Sequence, residues 1–305
     1  MQVKAISWNL FHGRDFPPDP ALRTWRSRLL RVTERNETHI QVNRDLLPEF
    51  TRLLAEAEWD VALLQECPPR WWKPLATACG AEAHGVLTSR NSFAPLRVLA
   101  ARLNPDLIAS GEGGSDLTLV RNTDRSNPST FTSVPYEHIT RSGRIVERSE
   151  TAIHEGKPER RAMALTRLAL DDGGGTRLCV ANLHATAGDV ELACEGLRRA
   201  ARAATEWAGD SPLIFGGDFN LRPAHDPAVF DELRERFGLA PPTGPDAIDH
   251  LLARGLDVID APRLWPPERR EVHERGRRDS DGGRALRLSD HAPVVGCFAT
   301  PGPRG

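Results

Sequence analysis

The chain is expected to fold as an α/β protein, with two mixed β-sheets packed face to face and flanked by helices. We expect one domain over residues 1–305, carrying an irregular insertion at about 11–42. Three observations support this reading. Short strand-like segments outnumber helices, the helices interrupt them one at a time, and neither an internal repeat nor a linker divides the chain.

Residues 2–9, QVKAISWN, alternate apolar and polar with the β period and end on Asn9. The Pro- and Arg-rich stretch that follows has no clean period and reads as an irregular excursion with a short helical turn, covering the edge of a site or plain surface. NRDLLPEFTRLLAEAE spaces Leu46, Leu47, Phe50, Leu53 and Leu54 as an amphipathic helix, with Pro48 tolerated in its first turn. WDVALLQE (59–66) is a buried strand ending on Glu66, RWWKPLATACG a short helix stopped by Gly80, and EAHGVLT a strand. Segments 104–110 and 115–121 are expected to pair as a hairpin turned by GEGGS. Residues 122–160 are polar, turn-rich and hold the sole tyrosine, Tyr136.

RAMALTRLAL and TRLCVANLH then read as two strands joined by DDGGG, a hairpin signal. A long helix spans 189–209 with Asp189 as its N-cap and Gly209 as its stop. Leu213 to Phe215 is the next strand, followed by a helix at 227–237 and strands near 247–252 and 256–260. An Arg- and Asp-rich loop covers about 263–283, and PVVGCFA is the last strand.

Hydrophobic residues at 39% and charged residues at 27% describe a globular chain with a sizeable core, not a disordered or membrane-embedded one. A net charge of −2 advertises no nucleic-acid surface, which counts against a tight non-specific DNA binder but not against a nuclease with a local groove. The five cysteines are scattered without a C-x-x-C pair and read as buried free thiols of a reducing compartment. The opening MQVKAISWNL has no basic region followed by an apolar one, so the expectation is a cytoplasmic protein with no membrane span. Oligomeric state is left open.

The strand ends carry the chemistry. Asn9, Glu66, Asn182 and His184 (NLH), Asp218 and Asn220 (GGDFN), Asp249 and His250 (IDH), and Asp290 and His291 (SDH) all close or flank a strand. Singly, an Asp or Asn there is ordinarily a turn residue bonding its own backbone, and a histidine is ordinarily solvated or satisfied in the core. Their recurrence at six strand ends is what points to a site. Oxygen donors without cysteine suit a hard cation, Mg²⁺ or Mn²⁺, that keeps positions open to a phosphate. Carboxamides and imidazoles suit phosphoryl oxygens, and a His–Asp pair can hold a phosphate or a water.

The ordered series SWNL, LLQE, NLHAT, GGDFN, AIDHLL and SDHAPV, running from residue 7 to 295, resembles the motif series of the endonuclease/exonuclease/phosphatase superfamily, deoxyribonuclease I-like proteins. The resemblance implies a four-layer α/β sandwich and metal-assisted phosphoester hydrolysis. It makes Glu66 the principal metal ligand, with Asn9 and Asp290 completing the shell. Asp218 would activate the attacking water, Asn220 and His291 would hold the scissile phosphate, and Asp249 would orient His291. His184 would contact phosphate or donate a proton to the leaving oxygen, and Asn182 would support the site from the same face. Arg161 stands where relatives often carry a basic residue on the site-facing strand, a plain surface arginine being the equal alternative; Asn182 and Arg161 are the candidates for substrate binding.

Asp218 and Asn220 are expected to share a face through the two-residue period of a strand. His250 should point to the opposite face from Asp249. His12 and Arg14 stand where they could line the cleft, although loop histidines are ordinarily solvated. Trp71 and Trp72 read as a packing anchor in preference to a base-stacking pair. QECPPRWW lacks the lysine-containing polar stretch of abasic-site endonucleases, and the gap from Asn9 to Glu66 is long for the family.

The functional expectation is therefore a Mg²⁺- or Mn²⁺-dependent phosphodiester hydrolase using in-line attack of an activated water. A nucleic-acid strand stands slightly ahead of a small-molecule or lipid-headgroup phosphoester. A catalytically silent scaffold is the third reading, disfavoured by the intact Glu66, Asp218, Asn220 and His291.

Overall fold

The computed structural model describes residues 2–88, 94–121, 143–154, 161–170, 177–273 and 283–301. In chain order the strands of its two large sheets are β1 Gln2–Asn9, β2 Val61–Gln65, β3 Ala81–Leu87, β4 Ser115–Arg121, β5 Arg144–His154, β6 Arg161–Ala169, β7 Arg177–His184, β8 Leu213–Asp218, β9 Asp249–Arg254, β10 Asp257–Leu264 and β11 Val294–Ala299. One sheet runs β10-β11-β1-β2-β4-β3 and the other β9-β8-β7-β6-β5. Each sheet contains one parallel pair, β1 with β2 and β7 with β8, while the remaining neighbours are antiparallel.

Period-two alternation decides which way each strand faces. In β1, Val3 and Ala5 enter the core between the sheets, whereas Ile6 and Trp8 turn outward to helices. The same split puts Val61 and Leu63 of β2, Leu178 and Val180 of β7, Ile214 of β8 and Leu251 of β9 between the sheets. Each such buried side chain contributes roughly 1.5–3 kcal/mol. Followed along the same faces, the period delivers Asn9, Gln65, Asn182, His184, Asp218 and Asp249 to the inter-sheet side. The site is thus the polar end of the inter-sheet core.

Helices α1 Trp25–Leu30, α2 Leu47–Glu56, α3 Trp72–Cys79, α4 Ala94–Leu103, α5 Pro105–Glu112, α6 Val190–Ala208 and α7 Pro227–Phe237 complete the regular structure. Phe50 and Leu54 of α2 and Leu75 of α3 cover one outer face together with Trp8 and Trp71. Ala-rich α6 and Phe230 and Leu233 of α7 cover the other. Asp189 caps α6 by accepting the Leu192 amide, and Gly80 closes α3 in a left-handed conformation. Trp71 is buried and Trp72 donates to Ser115, so the pair is a packing anchor.

Two expectations fail. Residues 104–110 are not half of a hairpin but belong to α5: Asn104 accepts the Leu107 amide, Pro105 takes the first turn and Asp106 favours the helix N-terminus. Residues 144–154, expected to be turn-rich, form β5, an edge strand with a largely exposed charged surface. Tyr136 and the DDGGG turn lie outside the described residues.

The 11–42 segment holds two short 3₁₀ turns, α1 and a two-stranded ribbon, Glu34–Arg35 with Ile40–Gln41. It is tied to residues 285–289 by bridges at Asp15–Leu288 and His39–Ala285 and by the Phe16 amide donating to Arg287 O at 2.8 Å. This places it against the chain that carries Asp290 and His291. Among the described residues, no helix is long and apolar enough to cross a membrane.

Candidate active site

β8 ends at Asp218, and its register sets Asp218 beside His184 of β7 and Asp249 of β9. Two glycines permit this close packing. Gly217 has φ +135°, and a Cβ there would lie 1.9 Å from Leu183 O; one at Gly216 would lie 2.7 Å from His250 O. Asp218 is buried, its Oδ2 accepting from Asn9 Nδ2 of the facing sheet at 2.9 Å and its Oδ1 from the Asn220 amide at 3.0 Å. Burial and then the Asp249 charge push its carboxyl up, against the pull of His291 and the Asn9 and Asn220 hydrogen bonds. A carboxylate raised toward neutrality is a stronger base than one left at its ordinary value.

Asn220 reaches the site by a different route from the one expected. The strand has already ended, Phe219 is buried among the helix-facing side chains, and Asn220 stands at φ +53°. The left-handed turn, not strand periodicity, brings Asn220 back to Asp218, whose Oδ1 its backbone amide reaches, while its Nδ2 donates to Ala185 O at 3.2 Å.

His291 Nδ1 and Asp249 Oδ2 lie 2.7 Å apart, while Nε2 points to the site, 3.9 Å from Asp218 and 3.8 Å from Asp290. Burial opposes the charged ring, but the Asp249 hydrogen bond and charge, helped by Asp218 and Asp290, prevail and push His291 up to about 10. It is an imidazolium that can hold an anionic oxygen. The ligand atoms of Asp218, Asp249 and His291 lie within 4.8 Å of one another, as a metal cage would require. The 2.7 Å hydrogen bond engages the ring nitrogen that faces Asp249, so in this structure the trio is arranged as a charge pair beside a base.

His184 has the opposite character. Arg161 Nη1 lies 3.1 Å from its Nδ1, and a guanidinium only donates, so Nδ1 accepts and the proton sits on Nε2. That N–H faces Asp218 Oδ2 at 3.6 Å and Glu66 Oε1 at 3.7 Å. Burial, then Arg161, lower His184 to about 3 and keep it a neutral donor. Arg161 itself is buried, which corrects its expected role: it sets the tautomer of His184 and does not line an open cleft.

Asn182 also departs from expectation. It is fully buried, accepts from Gln65 Nε2 at 2.7 Å and donates to Leu64 O at 3.4 Å, clamping the two sheets behind the site instead of touching substrate. Asp116 of β4, not foreseen, accepts the His184 amide at 3.1 Å and is fully buried. It stands two residues before Thr118 and four before Val120, and this period was its sequence signal.

The model of the Endonuclease/Exonuclease/phosphatase family matches residues 6–291. The chain belongs to this family. Solved structures agree on the fold. An endonuclease/exonuclease/phosphatase family protein from Bacteroides thetaiotaomicron superimposes with a TM-score of 0.63 at 16% identity, covering 99% of this chain and 98% of that one. A mannosyl-6-phosphatase from Bacteroides thetaiotaomicron VPI-5482 gives 0.62 at 16%, covering 97% and 99%. The human nocturnin catalytic domain with a bound sulfate gives 0.57 at 14%, covering 98% and 94%. A comparison with curated proteins finds no match.

As a member of the family, the protein is a hydrolase of phosphoester bonds, and family members are generally dependent on a divalent metal. The donor set fits such an ion. Glu66 follows β2 at φ +48° and Asp290 precedes β11, with side chains 19% and 29% exposed, so each faces solvent in part. Burial pushes Asp290 up, and the Glu66 charge adds to it against His291. A cation would relieve the charge that each of these carboxylates puts on the other. Asn9, expected in the metal shell, has its Oδ1 accepting the Phe11 amide at 2.9 Å and its Nδ2 donating to Asp218; the carbonyl oxygen keeps a second lone pair for a cation. It links the base to the metal-facing edge as a donor.

Proposed function

We propose that the protein hydrolyses a compact phosphoester by in-line attack of water, with Asp218 as the base, and that Mg²⁺ or Mn²⁺ serves as its cation. The observation that carries the mechanism is the convergence of two rings on one buried carboxylate: His184 Nε2 lies 3.6 Å and His291 Nε2 3.9 Å from Asp218 Oδ2, the first ring held as a donor by Arg161 and the second by Asp249. When bound at Glu66 and Asp290, a divalent cation would neutralise charge on the phosphoryl and leaving oxygens. Asp218 takes the proton of the attacking water. His291, fixed by Asp249, donates Nε2–H to a non-bridging oxygen; Asn220 orients the phosphate; and His184 donates its Nε2–H to the leaving side.

The sequence alone favours a nucleic-acid strand, but two features support a smaller substrate. Trp71 is buried and Trp72 packs against the core, so this pair is not offered to bases, and the 11–42 segment walls the chain beside Asp290. A nuclease is the second reading, supported by exposed Arg23, Arg26, Arg28 and Arg31 on that segment.

The test is hydrolysis of bis-p-nitrophenyl phosphate, p-nitrophenyl phosphate, sugar phosphates, plasmid DNA and oligonucleotides, each with Mg²⁺, Mn²⁺ or EDTA and an Asp218→Ala control. Metal- and Asp218-dependent turnover of small esters, insensitive to salt, is expected. DNA cleavage falling steeply with salt would establish the nuclease instead. Turnover unaffected by EDTA or by Asp218→Ala would refute the mechanism.

A further inference from the structure

The residues immediately beyond β1 form an unusual turn. Phe11, His12 and Gly13 have φ of 49°, 52° and 77°, three left-handed residues in succession, two of them not glycine. Such backbone is sparsely populated and persists only where its surroundings impose it. Here they do. Leu10 N donates to Gln65 O at 2.8 Å, the Phe11 amide is held by Asn9, and Gly13 N donates to Leu10 O at 2.8 Å. Gly13 lies under Trp71, where a Cβ would come within 2.3 Å of the indole, and Ser289 N donates to Arg14 O at 3.0 Å.

The turn delivers one side chain to the site. β1 and β2 are parallel with Asn9 opposite Gln65, so the residues just past the two strands emerge side by side. His12 Nε2 consequently lies 3.1 Å from Glu66 Oε2, with both side chains largely buried. The 3.1 Å separation is close to the edge of an octahedron whose bonds are about 2.1 Å, roughly 3.0 Å, the spacing of two adjacent ligands of one ion. His12 Nδ1 is buried without a hydrogen-bond partner among the described residues, so the ring meets the site through Nε2, which faces the Glu66 carboxylate.

We infer that His12 is a ligand of the catalytic cation alongside Glu66, making the centre a mixed nitrogen and oxygen site that binds Mn²⁺ in preference to Mg²⁺. This rests on the metal-dependent reading above. An imidazole suits transition metals better than Mg²⁺, which favours oxygen, so the ligand set selects the ion. The strained turn is then the device that adds a nitrogen to an otherwise oxygen-lined site.

The test uses the full chain freed of metal and titrated with Mn²⁺, followed by electron paramagnetic resonance and electron spin-echo modulation, neither of which needs turnover. His12→Asn is the informative variant, because asparagine tolerates positive φ but is too short to reach the same point; its thermal melt checks the fold. Expected are nitrogen modulation on bound Mn²⁺ in the wild type, its loss in His12→Asn and its retention in His184→Asn. Mn²⁺ affinity should fall roughly 10- to 100-fold in His12→Asn, with Mg²⁺ affinity changing less. Bound Mn²⁺ showing no nitrogen modulation, or modulation that survives in His12→Asn, would overturn the inference and leave metal dependence standing. Absence of Mn²⁺ binding that responds to Glu66→Gln would overturn both.

Discussion

Replacing Asp249 by asparagine should remove the charge that keeps His291 protonated while keeping the side-chain shape. His291 Nδ1 and Asp249 Oδ2 are 2.7 Å apart, with side chains 15% and 4% exposed, so solvent screens the pair little. Burial favours the neutral ring, and it is the Asp249 hydrogen bond and charge, with lesser help from Asp218 and Asp290, that raise His291 from 6.5 to about 10. At 1.36 kcal/mol per unit this corresponds to roughly 5 kcal/mol of preference for the imidazolium in the native state. In Asp249→Asn burial takes over, and His291 should be neutral at pH 7–8.

The direct assay is ¹⁵N-histidine NMR titration of the metal-free protein, which reports protonation whatever the substrate. Wild-type His291 should stay protonated through pH 8, and the variant should titrate below 7. Activity should fall by about 10²–10⁴ in kcat if the imidazolium holds the transferring phosphoryl group. Stability gives an independent sign. A histidine raised on folding contributes stability that is fully present below its unfolded value of 6.5 and lost as pH rises through about 10. Asp249→Asn should therefore cost about 3–5 kcal/mol near pH 6 and progressively less toward pH 10. A wild-type His291 titrating near 6.5, or a variant titrating where the wild type does, would refute this account of the charge pair.

Three further outcomes follow from other parts of the molecule. Asp15 accepts the Val42 amide at 3.0 Å in a buried position, where burial first and the Asp106 charge second raise its carboxyl to about 8. The native state then holds a proton that the unfolded chain releases near 3.8, so stability should fall between about pH 4 and 8 by up to roughly 5–6 kcal/mol, and Asp15→Asn should flatten that slope in urea melts. Gly217→Ala should prevent folding, seen as insoluble or molten protein by circular dichroism, because its Cβ would meet Leu183 O at 1.9 Å. Gln65→Ala should cost about 1–3 kcal/mol in chemical denaturation by stranding Asn182 Oδ1, with KM unchanged, since neither residue reaches substrate.

What the sequence made legible was direction more than contact. Polar residues recurring at strand ends, together with the motif series, singled out Asn9, His184, Asp218 and Asp249, which the structure brings together. Neither signal carries information on which atom meets which, so the hydrogen bond from the Phe11 amide to the Asn9 carboxamide oxygen was not foreseen. Arg161 and Asn182 were placed on the correct face, but depth between the sheets is a tertiary property, and both lie behind the site. β5 escaped notice because an edge strand with exposed charges lacks an apolar alternation. α5 escaped because a glycine-rich turn signal was weighted above the Asn104-Pro105-Asp106 helix start. His12 was left open between lining the cleft and being solvated, because nothing in a local stretch reveals that its turn would be pinned beneath Trp71.

A polar residue at a strand end invites two explanations, a turn that bonds its own backbone or a catalytic group, and here the two coincide. Asn9 Oδ1 accepts the amide of Phe11, Asp218 Oδ1 that of Asn220, and Ser289 Oγ that of His291, each two residues onward and at 2.9–3.0 Å. Asn9 and Asp218 then have a second polar atom free for the site, which they use on each other, and Ser289 Oγ donates to Asn9 O at 2.7 Å. The turns force positive φ at or beside the delivered residue, at Phe11 and His12, Asn220 and Ser289, each at a cost of roughly 1–3 kcal/mol. That cost is met by the same side chains that perform the chemistry. Hydrophobic substitution at Asn9 or Asp218 should therefore damage backbone geometry and reaction together, while loss at His184, which ends its strand without such a turn, should affect chemistry with less disturbance of the backbone.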